Sequence, residues 1–218
     1  MNTQVIVKSN TETLFDRILC VMQELINDHF ITKYRVSTEI NLASEHAKLY
    51  ILQMTVSNDY NLLIHVQIPF GSYKDQIMKK SSSRISYLCL DNHCPISTIQ
   101  RLFKAEIKKR RMGIWREERF LKILKKYQQQ NTNVLSVEKA GRMEDINGVD
   151  FIITLNTDYS LSIPIQVKGS ILGIKKHESL FKKIPALMVN YSHSDQLLLE
   201  QVGKIVNSYI NGEILHLY

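Results

Sequence analysis

The sequence predicts an α/β fold of the α+β type, built in two parts, on three observations. Helical and strand-like apolar patterns follow one another along the whole chain. Two strand-like runs meet across the polar turn Asn156-Thr157-Asp158-Tyr159. A long basic helical stretch separates the strands of the amino-terminal half from those of the carboxy-terminal half. With 218 residues, 44% of them hydrophobic, the chain is long enough for one large or two small cores.

The first expected element is a helix within Thr11 to His29, where Leu14, Ile18, Val21, Met22, Leu25 and Ile26 recur at helical spacing. Strands are expected at Arg35–Ile40, Lys48–Val56 and Leu62–Ile68, the last ended by Pro69 and Gly71. Ser81-Ser82-Ser83 marks an exposed turn or linker, and Arg84–Leu90 a further strand. These elements form a domain over residues 1–97 whose role is not readable. Pro95 and Ser97 then open a basic connecting helix, residues 98–112, with a second helix expected from Gly113 to about Tyr127. Asn133–Glu138 reads as a short strand and Ala140–Asn147 as a polar loop. The hairpin strands come next, followed by a short helix at Lys175–Lys183 and a strand at Ala186–Tyr191. Ser194 or Asp195 caps a final helix to about Tyr209. The carboxy-terminal order is therefore α-β-β-β-α-β-α.

The chemistry sits on the hairpin. Asp150 lies near the start of its first strand, and Gln166 and Lys168 near the end of its second, two apart and so on one face. In an antiparallel pair those ends are neighbours. A carboxylate, an amide oxygen and an ammonium would then converge at one sheet edge, an arrangement suited to a divalent cation and a water beside a phosphate. On the preceding helix, Glu117 interrupts the apolar stripe Ile114, Leu121 and Leu124. A carboxylate there needs compensation, and a cation at the sheet edge would provide it. Glu118 is the other helix carboxylate, placed nearer the polar flank; Glu117 is preferred.

The series Glu117, Gly148-Val149-Asp150, Gln166-Val167-Lys168 resembles the restriction-endonuclease-like, or PD-(D/E)xK, nuclease superfamily. Its Gln-x-Lys form is similar to the Mrr-type restriction enzymes. The resemblance covers residues from about Gly113 onward, making 113–218 a nuclease-like domain. It implies a core of α-β-β-β-α-β order, a mixed central sheet flanked by helices, and endonuclease activity on DNA that depends on Mg²⁺, or alternatively Mn²⁺. Asp150 is then the central ligand, the Gln166 side-chain oxygen and Val167 carbonyl add neutral oxygens, and Glu117 acts directly or through water. Lys168 either positions and polarises the attacking water or serves as its general base. Val149 stands where the family has proline, and Gln166 replaces an acidic residue, which predicts weaker cation binding. Asp145 could supply a second carboxylate, but Glu144 and Asp145 read first as a solvated acidic loop.

Charge agrees with a polyanionic partner. Arg101 to Lys126 carries eleven Lys/Arg and three Glu, a net +8 in a chain whose total is +7. Lys108, Lys109, Arg110 and Arg111 are its densest run, and Ser170, Lys175 and Lys176 follow the hairpin lysine. All are expected to meet backbone phosphates rather than bases. Gly169 is expected to leave its backbone open to the phosphate. His177 and His193 lack partners at metal-ligand spacing and are assigned surface or capping roles. Cys20, Cys89 and Cys94 form no CxxC pair, so neither a disulfide framework nor a zinc site is indicated. With no signal pattern and no long apolar run, a cytoplasmic protein without membrane contact is expected. The family reading also admits a homodimer or a partner subunit, and roles in defence against foreign DNA or in recombination and repair. Two alternatives remain: a non-catalytic DNA-binding module of the same fold, and a protein- or RNA-interaction component.

Overall fold

The computed structural model describes residues 13–41, 47–57, 60–69, 85–90, 93–157 and 160–218. The chain is a mixed α/β protein divided into two units, Met1–Arg111 and Met112–Tyr218. Each unit has its own four-stranded sheet and its own apolar core.

In the first unit, helix α1 (Leu14–Asn27) begins at a capping box. The Thr13 hydroxyl accepts from the Asp16 N–H at 3.2 Å, and the Asp16 carboxylate accepts from the Thr13 N–H at 3.0 Å. Its stripe of Ile18, Val21, Met22 and Leu25 is fully buried. Strands β1 (Lys33–Asn41), β2 (Ala47–Ser57) and β3 (Tyr60–Pro69) are antiparallel, and β4 (Ile85–Cys89) joins β3 in parallel. Leu52, Met54, Leu62, Ile64 and Val66 complete the core with Ile99, Phe103 and Ile107. The serine turn at 81–83, Gly71 and the hairpin residues Asp158 and Tyr159 lie outside the described residues.

The expected break at Gly113 does not occur. Residues Ile96–Gln130 form one helix, α2. The apolar spacing Ile99, Phe103, Ile107, Ile114, Leu121, Leu124 keeps a helical period past Gly113, and a lone glycine without proline is too weak a signal to end it. The stretch expected as a connecting helix thus supplies core residues to the first unit. The helix ends where the Asn131 side-chain amide donates to the Tyr127 carbonyl at 2.7 Å.

In the second unit, β5 (Val134–Lys139), β6 (Phe151–Leu155), β7 (Leu161–Lys168) and β8 (Ala186–Met188) lie in that order. The first three are antiparallel and β8 is parallel to β7. Phe151, Ile153 and Leu155 alternate inward along β6, as do Ile163, Ile165 and Val167 along β7. They pack against Phe120, Ile123 and Leu124 of α2 and against Leu198, Val202 and Ile205 of α5 (Asp195–Ile210). Phe120 meets Phe151 edge-on, with ring centroids 5.5 Å apart. The Ser194 hydroxyl caps α5 by accepting from the Leu197 N–H at 3.1 Å.

Three expectations need correction here. The loop expected at Ala140–Asn147 contains a short helix, α3 (Arg142–Ile146). Helix α4 runs Ile171–Leu180, starting earlier than Lys175, because Ser170 caps it by accepting from the Gly173 N–H at 3.2 Å. Strand β8 stops at Met188, and its outer edge pairs with Leu217, which donates to the Ala186 carbonyl at 2.8 Å and accepts from the Met188 N–H at 2.9 Å.

Candidate active site

Asp150 sits just before β6, held by backbone bonds on both sides. Its N–H donates to the Ile165 carbonyl at 2.9 Å and its carbonyl accepts from the Ala140 N–H at 2.9 Å. The hairpin register pairs Phe151 with Ile165, so Asp150 falls beside the Gln166–Lys168 end of β7. One carboxylate oxygen, Oδ2, accepts from the Val167 N–H at 2.8 Å and from the Gln166 side-chain amide. The buried Gln166 amide also donates a longer bond, 3.4 Å, to the Val167 carbonyl. Gly148 makes the turn that leads into Asp150. It has φ +83°, and an added Cβ would lie 2.8 Å from the Phe181 ring.

Helix α2 brings Glu117 to the same place, while Glu118 is exposed. The compensating charge for Glu117 is a lysine. Lys139 at the end of β5 holds Nζ 2.6 Å from Glu117 Oε2. No cation is required to explain that carboxylate's partial burial.

The electrostatics tie the group together. The Asp150 carboxyl is pushed up to about 7, first by burial. The Val167 N–H opposes that shift, the Glu117 charge adds to it, Lys168 opposes it and Asp145 adds to it. The Lys168 ammonium is pulled down, again mainly by burial, against the attraction of Asp150, Asp145 and Glu117 and with help from Lys176. Asp145, expected to be a solvated loop residue, is half-buried on α3 and its charge is felt by both.

The other expected residues are placed as follows. Arg111 donates to the carbonyls of His29 (3.1 Å) and Phe30 (2.8 Å), closing the end of α1. Lys109 pairs with Glu106 at 3.6 Å, Lys108 is exposed and Arg110 is half-buried. Lys175 and Lys176 are exposed on α4, and the Ser170 hydroxyl oxygen is occupied as that helix's cap. Gly169 is not open. A Cβ built on it would lie 2.1 Å from Cζ of Arg116, whose guanidinium covers it. His177 is buried rather than superficial, bonds the Ile184 carbonyl at 3.0 Å, and is pulled down to about 4, chiefly by burial. His193 bonds the Met188 carbonyl at 3.0 Å.

Sequence reasoning missed Lys139 and Arg116. The antiparallel register pairs Lys139 with Phe151, next to Asp150, and that pairing is the signal that finds it. Arg116 simply precedes Glu117.

A hard divalent cation could be held by these donors only after one rearrangement. Among the described residues no three of His, Cys, Asp and Glu stand ready to hold a metal ion. Magnesium commonly takes only one or two carboxylates and keeps its waters, so a sparse set suffices. The mutual repulsion of Asp150, Glu117 and Asp145 is what a cation would relieve. Gln166, however, presents Nε2 to Asp150, and must turn its amide over to offer oxygen.

Among the described residues no helix is long and apolar enough to cross a membrane. No family model, curated protein or solved structure matches this chain.

Proposed function

We propose that residues 112–218 form a metal-dependent nuclease of the restriction-endonuclease-like kind, cleaving phosphodiester bonds in DNA. The observation that carries this reading is the meeting of Asp150, Gln166 and Lys168 at one end of the β6–β7 hairpin, with Glu117 and Asp145 in electrostatic reach. The order of α2, β5, β6, β7, α4 and β8 agrees with the core that the motif implies, with α3 as an insertion.

Asp150, the Gln166 amide oxygen and the Val167 carbonyl would hold Mg²⁺ or Mn²⁺. Such an ion neutralises charge on the phosphate and makes water more acidic. Lys168, whose ammonium is destabilised by burial, first releases its proton to solvent and as the neutral amine takes a proton from the attacking water. The water oxygen bonds to phosphorus as the bond to the leaving sugar oxygen breaks. The electron pair stays on that oxygen, which is then protonated by solvent. Glu117, fixed by Lys139, would orient the attacking water.

Cleavage of supercoiled, linear and branched DNA with Mg²⁺, with Mn²⁺ and with chelator tests this reading, beside Asp150→Ala and Lys168→Ala. Metal-dependent cutting lost in both variants is expected. Cutting that survives both rejects this active site.

One observation favours a second reading, a DNA-binding module that does not cut. Gln166 and Lys139 already satisfy Asp150 and Glu117 without a metal. That reading expects DNA affinity that falls with salt, and intact strands under every metal condition.

A further inference from the structure

Arg116 is the most conspicuous unexplained charge in the second unit. Its guanidinium lies against the backbone of Gly169, directly after Lys168. A Cβ on Gly169 would come within 2.4 Å of both Nε and Nη2, so only glycine lets the fork rest there. The Nε is shielded from solvent and has no hydrogen-bond partner. Yet Glu117 is the next residue on α2 and is paired with Lys139 instead. Arg119, one turn on, is well partnered: it donates to the Asn190 carbonyl at 2.8 Å, the His193 carbonyl at 2.5 Å and the Asp195 carboxylate at 2.8 Å. A shielded donor without an acceptor calls for an explanation. A planar cation held beside a lysine and, among the described residues, in no carboxylate pair suits two oxygens of an incoming phosphate.

We infer that Arg116 is a phosphate-binding residue, gripping non-bridging oxygens of the DNA phosphate presented to Lys168. A side chain on Gly169 would push the fork from this position. The inference rests on the proposed DNA reading, but it is tested by binding rather than cutting.

The full chain is titrated with a short DNA duplex in chelator, at salt from about 50 to 200 mM. Arg116→Ala, Arg116→Lys and Gly169→Ala are compared with the unaltered protein, thermal melts serving as the check on folding. A lost phosphate contact lowers the steepness of log affinity against log salt by about 0.9 in Arg116→Ala. Arg116→Lys keeps most of it. Gly169→Ala retains the charge but displaces the fork, and is expected to bind about tenfold more weakly, as losing one charged contact does. With Mg²⁺ present, the cutting rate of Arg116→Ala falls on the order of 100-fold.

An unchanged salt slope in Arg116→Ala overturns the inference even if the protein cuts DNA. Full affinity in Gly169→Ala also overturns it, because Arg116 then acts only through overall charge. A lowered slope in a protein that never cuts upholds phosphate binding and removes the nuclease reading instead. Absence of any DNA affinity removes both.

Discussion

Asp150→Asn should make the second unit more stable at alkaline pH, although it removes the central residue of the proposed site. Asp150 has an ordinary carboxyl value of 3.8 when exposed and about 7 when folded. Between those values the unfolded chain is ionised while the folded chain keeps its proton. The folded state binds more protons, so stability falls as pH rises from about 4 to about 7 and is level above that. A gap of roughly three pH units corresponds to about 4 kcal/mol, and relaxation around an introduced asparagine reduces the gain to about 2–4 kcal/mol. The asparagine oxygen can still accept from the Val167 N–H, and the Gln166 amide, free to turn over, can pair with the new side chain in either sense. Trp115, the chain's single tryptophan, reports on this unit because it stacks on Tyr191 at 4.0 Å. Urea unfolding followed by its fluorescence should show equal stabilities at pH 4 and a gain of that size at pH 8. Mg²⁺ at ten times its dissociation constant should add about 1.4 kcal/mol to the unaltered protein and nothing to the variant. A variant no more stable at pH 8, or a difference that is the same at both pH values, would refute the reasoning.

Three further outcomes are expected. Glu117→Gln removes one of the charges that raise Asp150, so the midpoint of the same pH–stability curve should move below about 7; an unmoved midpoint would place Glu117 outside the cluster. Gly148→Ala forces a side chain into φ +83° and onto the Phe181 ring, and should cost about 1–3 kcal/mol by Trp115-monitored unfolding; a neutral result would mean that the turn re-forms freely. Arg111→Ala should lower the calorimetric transition of the first unit by about 1 kcal/mol through its lost bonds to the His29 and Phe30 carbonyls, while weakening DNA binding less than the exposed Lys108→Ala; the reverse ranking would return Arg111 to the phosphate-binding set.

The legible parts of the chain are those whose signal is local. The stripe of α1, the Ser194 cap of α5 and the two-residue period of β6 and β7 all follow from neighbours within a turn or a strand. The hairpin register makes Asp150, Gln166 and Lys168 neighbours for the same reason. Helix α3 is hidden because it has only five residues and leaves Met143 and Ile146 exposed, so no apolar period marks it. The start of α4 is hidden because Ile171 and Leu172 are apolar but exposed, so no buried stripe marks its first turn. His177 shares a helical face with the buried Ile174, which is why it is a core residue and not a surface one. Lys139 and Arg116 owe their places to partners far along the chain, and no window of sequence contains those pairings.

The short pairing of Leu217 with β8 has a consequence for how this protein is handled. Strand β8 borders the sheet, and its outer N–H and carbonyl groups are a template for another chain unless covered. Leu217 covers them at Ala186 and Met188, and the His216 ring accepts from the Ala186 N–H at 3.1 Å. Removing His216 to Tyr218 would bare that border, and self-association through it would then compete with folding. The segment is in effect a guard against the wrong kind of sheet.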